Sequence, residues 1–123
     1  MMTIACVLLL TGSPLETLLE FQRWAEPDPK LAGSMGRLRD RYAAELEEKR
    51  PEEGREAAYY ATLPYYVLAL AVMDDALLVL VDYGATEDEE QAKALRREYL
   101  VLRAELEILS EEIQRLEKEL SPP

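Results

Sequence analysis

Six acidic side chains are the residues of this sequence that could do chemistry together: Glu45, Glu48, Glu52, Asp74, Asp75 and Asp82. Carboxylate oxygens are the hard ligands that Mg²⁺ prefers in proteins. If helices that face one another carried these side chains, they could hold a magnesium ion for an enzyme that hydrolyses nucleotides. The spacing of the carboxylates along the chain tests this hypothesis.

A site like that of the all-α nucleoside-triphosphate pyrophosphohydrolases would need paired Glu-x-x-Glu and Glu-x-x-Asp motifs on successive helices. Glu45 and Glu48 supply one half of such a site. However, no Glu stands three residues before Asp74, Asp75 or Asp82. We therefore keep a Mg-dependent all-α nucleotide pyrophosphohydrolase-like enzyme as the second alternative, and predict no catalytic, cofactor-binding or metal-binding residue.

Other kinds of catalytic site lack their usual residues. The chain has no His, so the usual general base and the commonest transition-metal ligand are both missing. Its one cysteine, Cys6, cannot form an internal disulfide and is most simply a small buried apolar residue. No phosphate-binding glycine loop or nucleophile elbow occurs. We therefore expect a protein that is not an enzyme and that needs no cofactor.

The excess of acidic over basic residues limits which partners the chain could bind. The formal net charge is −11, which argues against direct nucleic-acid binding because affinity for phosphates comes from Lys and Arg. An acidic protein can still imitate nucleic acid on the surface of a basic protein. A nucleic-acid-mimicking inhibitor is therefore the first alternative function, with the acidic stretches 45–56 and 86–90 as its candidate surface.

Four tyrosines cluster around Pro64, namely Tyr59, Tyr60, Tyr65 and Tyr66. Aromatic residues are enriched at the centres of protein interfaces, so this group is a possible secondary patch for a partner. The competing interpretation is the edge of a core, with the rings buried and the hydroxyls facing water. The sequence favours the second interpretation.

The apolar stretch at the start of the chain bears on where in the cell we expect the protein to be. The run from Ile4 to Leu10 resembles the apolar part of a signal peptide, but no Lys or Arg precedes Arg23. We expect residues 3–11 to form a short buried helix, with a strand as the alternative, in a cytoplasmic protein. Ser13 then predicts an N-cap for the next helix, with Pro14 at its first position.

Helical periodicity divides the rest of a single domain, 1–123, into further elements. Apolar residues recur at helical spacing over 14–25 and 34–50, with prolines between these stretches. A further helical turn or two is predicted over 52–61. A long final helix is predicted over 87–120, with Thr86 as its cap. The fold class predicted is all-α, a small helical bundle with a long C-terminal coiled-coil helix.

The most apolar stretch, 63–83, admits two structures. The residues Thr62 and Pro64 suit the start of a helix and Gly84 suits its end, which favours a helix over 65–83. The alternative is an α+β fold with a β-hairpin at 66–83, turning at the adjacent aspartates in its middle. Those aspartates would cost about 5–7 kcal/mol inside a bilayer, so we expect no membrane span.

The final helix carries the clearest pattern in the sequence. Leu95, Leu102, Leu109 and Leu116 recur every seven residues, and Tyr99, Leu106, Ile113 and Leu120 fill the companion positions. This is the a/d spacing of a coiled coil. Beyond residue 109 the apolar face narrows to this seam, and a helix over 87–120 would extend beyond a partner over 65–83. We therefore predict that 106–120 protrudes or docks on a partner.

Together these patterns predict a protein whose work is association. The predicted function is that of a helical adaptor, accessory subunit or assembly component that binds itself, with a dimer favoured, or another protein. The predicted interface consists of the seam residues Tyr99, Leu102, Leu106, Leu109, Ile113, Leu116 and Leu120. The alternative use of this seam is inside the chain's own four-helix bundle.

Overall fold

The computed structural model describes residues 13–122. Within this range the chain is all-α, as predicted, with helices α1 (Pro14–Phe21), α2 (Ala32–Glu48), α3 (Glu56–Ala85) and α4 (Glu89–Glu119). A short 3₁₀ turn, Pro29–Leu31, precedes α2. No strand occurs in this part of the chain, so the hairpin alternative at 66–83 is wrong. The helix or strand predicted over 3–11 lies outside the described residues.

The four helices form a ring in which each packs on its neighbours. The long helices α3 and α4 lie antiparallel as a hairpin, α1 packs on α2, α2 packs on α3, and α1 packs on α4. The shared core between them includes Leu18, Met35, Met73 and Leu106. This is a four-helix bundle in which α1 and α2 together cover one side of the α3–α4 hairpin.

Side-chain caps fix where two of the helices begin. The Ser13 hydroxyl accepts a hydrogen bond from the Leu15 amide at 3.2 Å, so the predicted N-cap of α1 is confirmed. The cap of α4 is Asp88, whose carboxylate accepts from the Glu90 amide. The prediction that Thr86 caps this helix was wrong by two residues, because Thr86 instead ends α3.

The largest difference from the predicted elements is the length of α3. The predicted turn over 52–61 and the predicted helix over 65–83 are one helix of 30 residues that runs through Pro64. Pro64 has no amide hydrogen for the carbonyl of Tyr60, a loss that costs a helix interior about 3 kcal/mol when nothing replaces the bond. Both residues are exposed, so water can reach this part of the helix.

This longer α3 removes the overhang that the sequence predicted for α4. The two helices have 30 and 31 residues and therefore similar lengths, about 45 Å each. At their far end, the Arg55 guanidinium donates to the Ser121 hydroxyl at 2.9 Å. The end of α4 thus lies beside the start of α3, and the predicted protrusion of 106–120 is wrong.

Tyrosine and arginine side chains attach α1 and α2 to this hairpin. The Tyr42 hydroxyl donates to the Tyr66 carbonyl at 2.6 Å, and the Arg39 guanidinium contacts the Asp74 carboxylate at 2.6 Å. The Tyr99 hydroxyl donates to the Trp24 carbonyl at 2.9 Å. These contacts determine which side of the α3–α4 hairpin α1 and α2 cover.

One glycine of α3 is required by the packing of the 3₁₀ turn. A Cβ added at Gly84 would lie 2.7 Å from the Cβ of Pro29, closer than two such atoms can approach. In contrast, a Cβ added at Gly36 of α2 would meet no atom within 4 Å. The two glycines therefore provide a matched test of this packing.

We expect opposite effects from alanine at these two positions. Gly36→Ala should raise the free energy of unfolding by about 0.5–1 kcal/mol, because alanine is the better helix former. Gly84→Ala should lower it by about 1–3 kcal/mol, because the helix must move away from Pro29. Urea unfolding followed by circular dichroism measures both, and a stabilised Gly84→Ala variant would contradict this packing.

Candidate interaction surface

The predicted seam of α4 lies mostly inside the chain's own bundle. Leu106 and Ile113 are 1 % and 0 % exposed, and Tyr99 and Leu109 are also buried. Two further seam residues, Leu102 and Leu116, are half-buried, and Leu120 is 37 % exposed. The heptad pattern therefore serves the intramolecular bundle over most of its length. Its buried members are not free to meet a second chain in this arrangement.

We expect alanine substitutions in the seam to lower the free energy of unfolding more where the replaced residue is more deeply buried. Ile113→Ala should lower the free energy of unfolding by about 2–5 kcal/mol, because it leaves a cavity in the core. Leu120→Ala should change it by less than about 1 kcal/mol. Chemical denaturation at low protein concentration measures the free energy of unfolding of both variants. If both substitutions lower it by the same small amount, Ile113 is not buried in the core.

The tyrosines predicted as a secondary patch divide between core and surface. Tyr66 is fully buried, Tyr59 and Tyr65 are half-buried, and Tyr60 is 64 % exposed. The Tyr66 hydroxyl reaches the Glu117 carboxylate at 3.4 Å, and the Lys49 ammonium lies 5.3 Å from the centre of its ring. The group is therefore the edge of the core around Tyr66, with Tyr60 as its outward member.

Burial changes the acid–base properties of the two central tyrosines. Loss of solvent raises the pKa of Tyr42 and of Tyr66 well above the ordinary value of a tyrosine, and the Glu117 carboxylate adds to the shift at Tyr66. In the unfolded chain both hydroxyls ionise near pH 10. The folded state keeps these protons when the unfolded state has lost them.

We therefore expect the stability from these tyrosines to be complete below pH 10 and to fall as the pH rises above it. Each buried tyrosine should contribute a loss of about 1.4 kcal/mol per pH unit there. Tyr42→Phe should make this decline shallower, relative to its own stability at pH 7. Urea unfolding between pH 7 and pH 11 measures the slopes, and equal slopes in the variant and the parent chain would contradict the assignment.

The acidic residues do not come together as a metal site. Among residues 13–122 no three Asp, Glu or Cys side chains lie close enough to hold a metal ion. Asp74 pairs with Arg39, whereas Asp75 and Asp82 are exposed on α3. In the stretch 45–56, Glu45 is buried, where it accepts a hydrogen bond from the Thr17 hydroxyl and pairs with Arg41 at 3.4 Å.

An open cavity of about 580 Å³ lies at the end of the bundle where α1 begins. Side chains from the α2–α3 connection line it, together with Ser13, Glu45 and Glu117. Both acidic and basic side chains line it, so its lining does not favour one charge of ligand.

The feature that sequence reasoning missed is an apolar surface on the side of the hairpin away from α1 and α2. Six large apolar side chains are each more than half exposed there, and we call them the outer face. They are Tyr60, Val67, Leu68 and Leu78 of α3 with Val101 and Ile108 of α4. Val81 is exposed too, but it lies two turns after Asp74, on the stripe of α3 that faces Arg39 of α2. Single exposed apolar residues are ordinary on protein surfaces, whereas a group of six on one side of a hairpin is not.

Helical spacing places the outer face on one stripe of each helix, where exposed charged residues lie among the apolar ones: Asp75, Asp82, Arg97, Glu98 and Glu105. On α3, Val67 and Leu78 lie eleven residues apart, with the exposed Ala71 between them, and on α4, Val101 and Ile108 lie seven apart. The antiparallel contact of the two helices brings these stripes side by side. The signal available in the sequence was the apolar stretch 63–83, which has apolar residues on nearly every side of the helix.

Every member of the outer face is more than half exposed, and contiguous exposed apolar patches larger than a few hundred Å² are rare on monomeric proteins. By length and composition alone, α3 could also cross a membrane, a test that the core helix of a soluble bundle passes too. The outer face is the most apolar exposed surface among the described residues.

The comparisons with known proteins do not extend this description. The chain matches no family model, no curated protein and no solved structure. The candidate surface therefore rests on its geometry and on its chemistry.

Proposed function

We propose that this chain is a non-enzymatic association protein: a helical adaptor, accessory subunit or assembly component that works by binding itself or another protein. The observation that carries this proposal is the outer face. Burying its apolar side chains in a protein interface would contribute stability at roughly 25 cal/mol for each Å² removed from water, before the costs of association are subtracted. Association through such a surface requires no catalytic group.

The shape of the surface supports a helical partner. The outer face is built from two antiparallel helices, and their parallel ridges and grooves fit the ridges of another helix pair. Most of its members are Val, Leu and Ile, with one aromatic residue, Tyr60, near one end. A partner that presents apolar residues at helical spacing would match this surface.

The proposal differs from the sequence prediction in where association occurs. The heptad seam of α4 is used mainly inside the bundle, so it supports the fold rather than a partner. Its exposed end, Leu120, is separate from the outer face along α4. The outer face replaces the seam as the surface of contact.

The experiment compares the mass of the folded chain in its native extract with that of two variants. Val67→Glu with Ile108→Glu places two charges at the outer face. The control, Ala44→Glu with Gln114→Glu, adds the same two charges at exposed positions outside it. We expect the parent chain and the control to elute well above the 14.0 kDa of one chain, and the outer-face variant to elute as a monomer.

Circular dichroism must first show that both variants keep the helical fold, so that a loss of association is not a loss of folding. The proposal fails if the parent chain elutes at 14.0 kDa in its native extract. It also fails if the folded outer-face variant remains in the same complex as the parent chain.

A further inference from the structure

We infer that the outer face binds a basic amphipathic helix of another protein, a helix whose contacting side carries Lys and Arg among its apolar residues. This inference rests on the proposed function, since it concerns the same surface, and it names the chemistry of the partner. The positions of four exposed carboxylates, their lack of ion pairs and the apolar side chains around them support it.

On α3, two carboxylates lie at the edge of the outer face that is next to α4. The opposite edge is marked by Asp74, whose carboxylate pairs with Arg39 of α2 at 2.6 Å. Asp75 is one residue further along, about 100° around the helix, and it is exposed. The step from Asp74 to Asp75 therefore crosses the outer side of the hairpin, away from α2. Asp82 is also exposed and lies two turns after Asp75, on the same stripe.

On α4, two further carboxylates lie at the edge that is next to α3. The opposite edge is marked by Arg96 and Arg103, because both guanidinium groups bond to the chain that follows α1. Glu98 and Glu105 each lie two residues after one of these arginines, about 200° around the helix, and both are exposed. They therefore lie on the part of the exposed surface of α4 that borders α3.

These two edges are the walls of one groove between α3 and α4, which we call the outer groove. The ends of the hairpin fix which residues lie at the same height, because Arg55 contacts Ser121 at one end and the short connection after Ala85 closes the other. With a rise of about 1.5 Å per residue, Asp75 and Glu98 lie within about one turn of the same height, on opposite walls. The four carboxylates together span about 20 Å of the outer groove.

The carboxylates of the outer groove outnumber the basic groups beside them. Among residues 13–122, none of the four takes part in an ion pair. One exposed arginine, Arg97, lies four residues before Val101 on the outer side of α4, so four carboxylates stand against one guanidinium. Carboxylates along one groove repel one another, and a partner that brings Lys and Arg replaces this repulsion with attraction. The net charge of −11 adds long-range attraction to a basic partner.

Apolar residues surround these carboxylates. Large exposed side chains lie along the outer groove on both helices: Leu68, Leu78, Val101 and Ile108. A helix laid along the groove covers these side chains with its own apolar residues at helical spacing. The four-carbon stem of a lysine can lie on the same apolar side chains while its ammonium group reaches a carboxylate. The outer groove therefore fits a helix that is both apolar and basic.

The same charges oppose two other occupants of the outer face. Pairing it with the outer face of a second copy would bring the four carboxylates of each copy together, with one guanidinium from each. Like charges that face one another disfavour an interface. An anionic lipid surface is opposed for the same reason, since such surfaces attract Lys and Arg.

The test uses a synthetic peptide of about 18 residues, which as a helix is about 27 Å long and covers all four carboxylates. It carries Leu at helical spacing on one side, Lys beside the leucines, and Ala and Gln elsewhere. Fluorescence anisotropy of the labelled peptide, titrated with the purified full chain, measures the dissociation constant. We expect saturable binding that weakens as the salt concentration rises, because salt screens ion pairs at an exposed groove.

Two control peptides separate the basic from the apolar contribution. In one, Glu replaces every Lys, and in the other, Gln replaces every Leu. Each should bind at least about tenfold more weakly than the Lys peptide, because the inference requires both kinds of contact.

Variants of the chain locate the binding site. The groove variant converts the four carboxylates to amides: Asp75→Asn, Asp82→Asn, Glu98→Gln and Glu105→Gln. The control variant makes the same charge change at exposed carboxylates outside the outer face that form no ion pair among the described residues: Glu16→Gln, Glu47→Gln, Glu53→Gln and Glu87→Gln. The groove variant should bind the Lys peptide at least about tenfold more weakly than the control variant.

Circular dichroism must show that both variants fold. If the groove variant does not fold, the pair Glu98→Gln with Glu105→Gln should still weaken binding of the Lys peptide by at least about threefold.

Three results with the peptides would overturn the inference. The Lys peptide could fail to bind the parent chain at concentrations up to about 1 mM, the Glu peptide could bind equally well, or the groove variant could bind like the control variant. A purified chain that dimerises until Val67→Glu with Ile108→Glu is introduced would identify a second copy as the occupant instead. Cosedimentation with phosphatidylcholine vesicles that the same substitutions abolish would identify a lipid surface.

The native extract separates this inference from the proposed function. If the groove variant elutes there in the same complex as the parent chain, while Val67→Glu with Ile108→Glu elutes as a monomer, the carboxylates do not select the partner. The basic helix is then excluded and the proposed function stands. If the parent chain itself is monomeric in the extract, the two fail together.

Discussion

The packing of α3 along the whole of α4 is the constraint on which the rest of this structure depends. Each helix is about 45 Å long, and their contact contains the centre of the core. The shorter helices are arranged around it. Tyr42 and Arg39 hold α2 to α3, and Tyr99 holds the chain just after α1 to α4. Each of these anchors places a polar group at the edge of the apolar contact.

A hairpin of this length has two broad sides, and α1 and α2 can cover one of them. α1 has 8 residues and α2 has 17, and together they occupy the side on which Leu106 and Met73 are buried. The opposite side keeps the apolar residues of the outer face. A solvated helix face would carry polar residues at such positions, as α2 does at Arg37, Asp40 and Glu47. The composition of α3 therefore differs from that of a helix with one fully solvated face.

The charges on the bundle divide into those that hold its helices and those that the fold leaves unpaired. Arg39 pairs with Asp74 between α2 and α3, and Arg96 pairs with Glu26 between α4 and the chain after α1. In contrast, the outer side of the hairpin carries exposed charged residues, Asp75 and Asp82 on α3 with Arg97, Glu98 and Glu105 on α4, that form no ion pair among the described residues.

Local patterns in the sequence determined the helical class, the cap at Ser13, and the end of α3 before Thr86, because periodicity and capping act within a few residues. The tertiary structure decided the rest. Pro64 lies on an exposed side of α3, where water can reach the carbonyl that proline leaves without a donor. The helix therefore continues through Pro64, and α4 does not extend beyond it as the sequence predicted.

A heptad repeat indicates that a helix buries one stripe of its surface, but it does not indicate whether the helix that covers the stripe belongs to the same chain. Leu106 and Ile113 are buried by helices of the same chain, α1, α2 and α3. The positions of these helices depend on contacts between residues far apart in the sequence. The outer face became visible for the same reason, since a stretch that is apolar all round shows its uncovered side once its neighbours are in place.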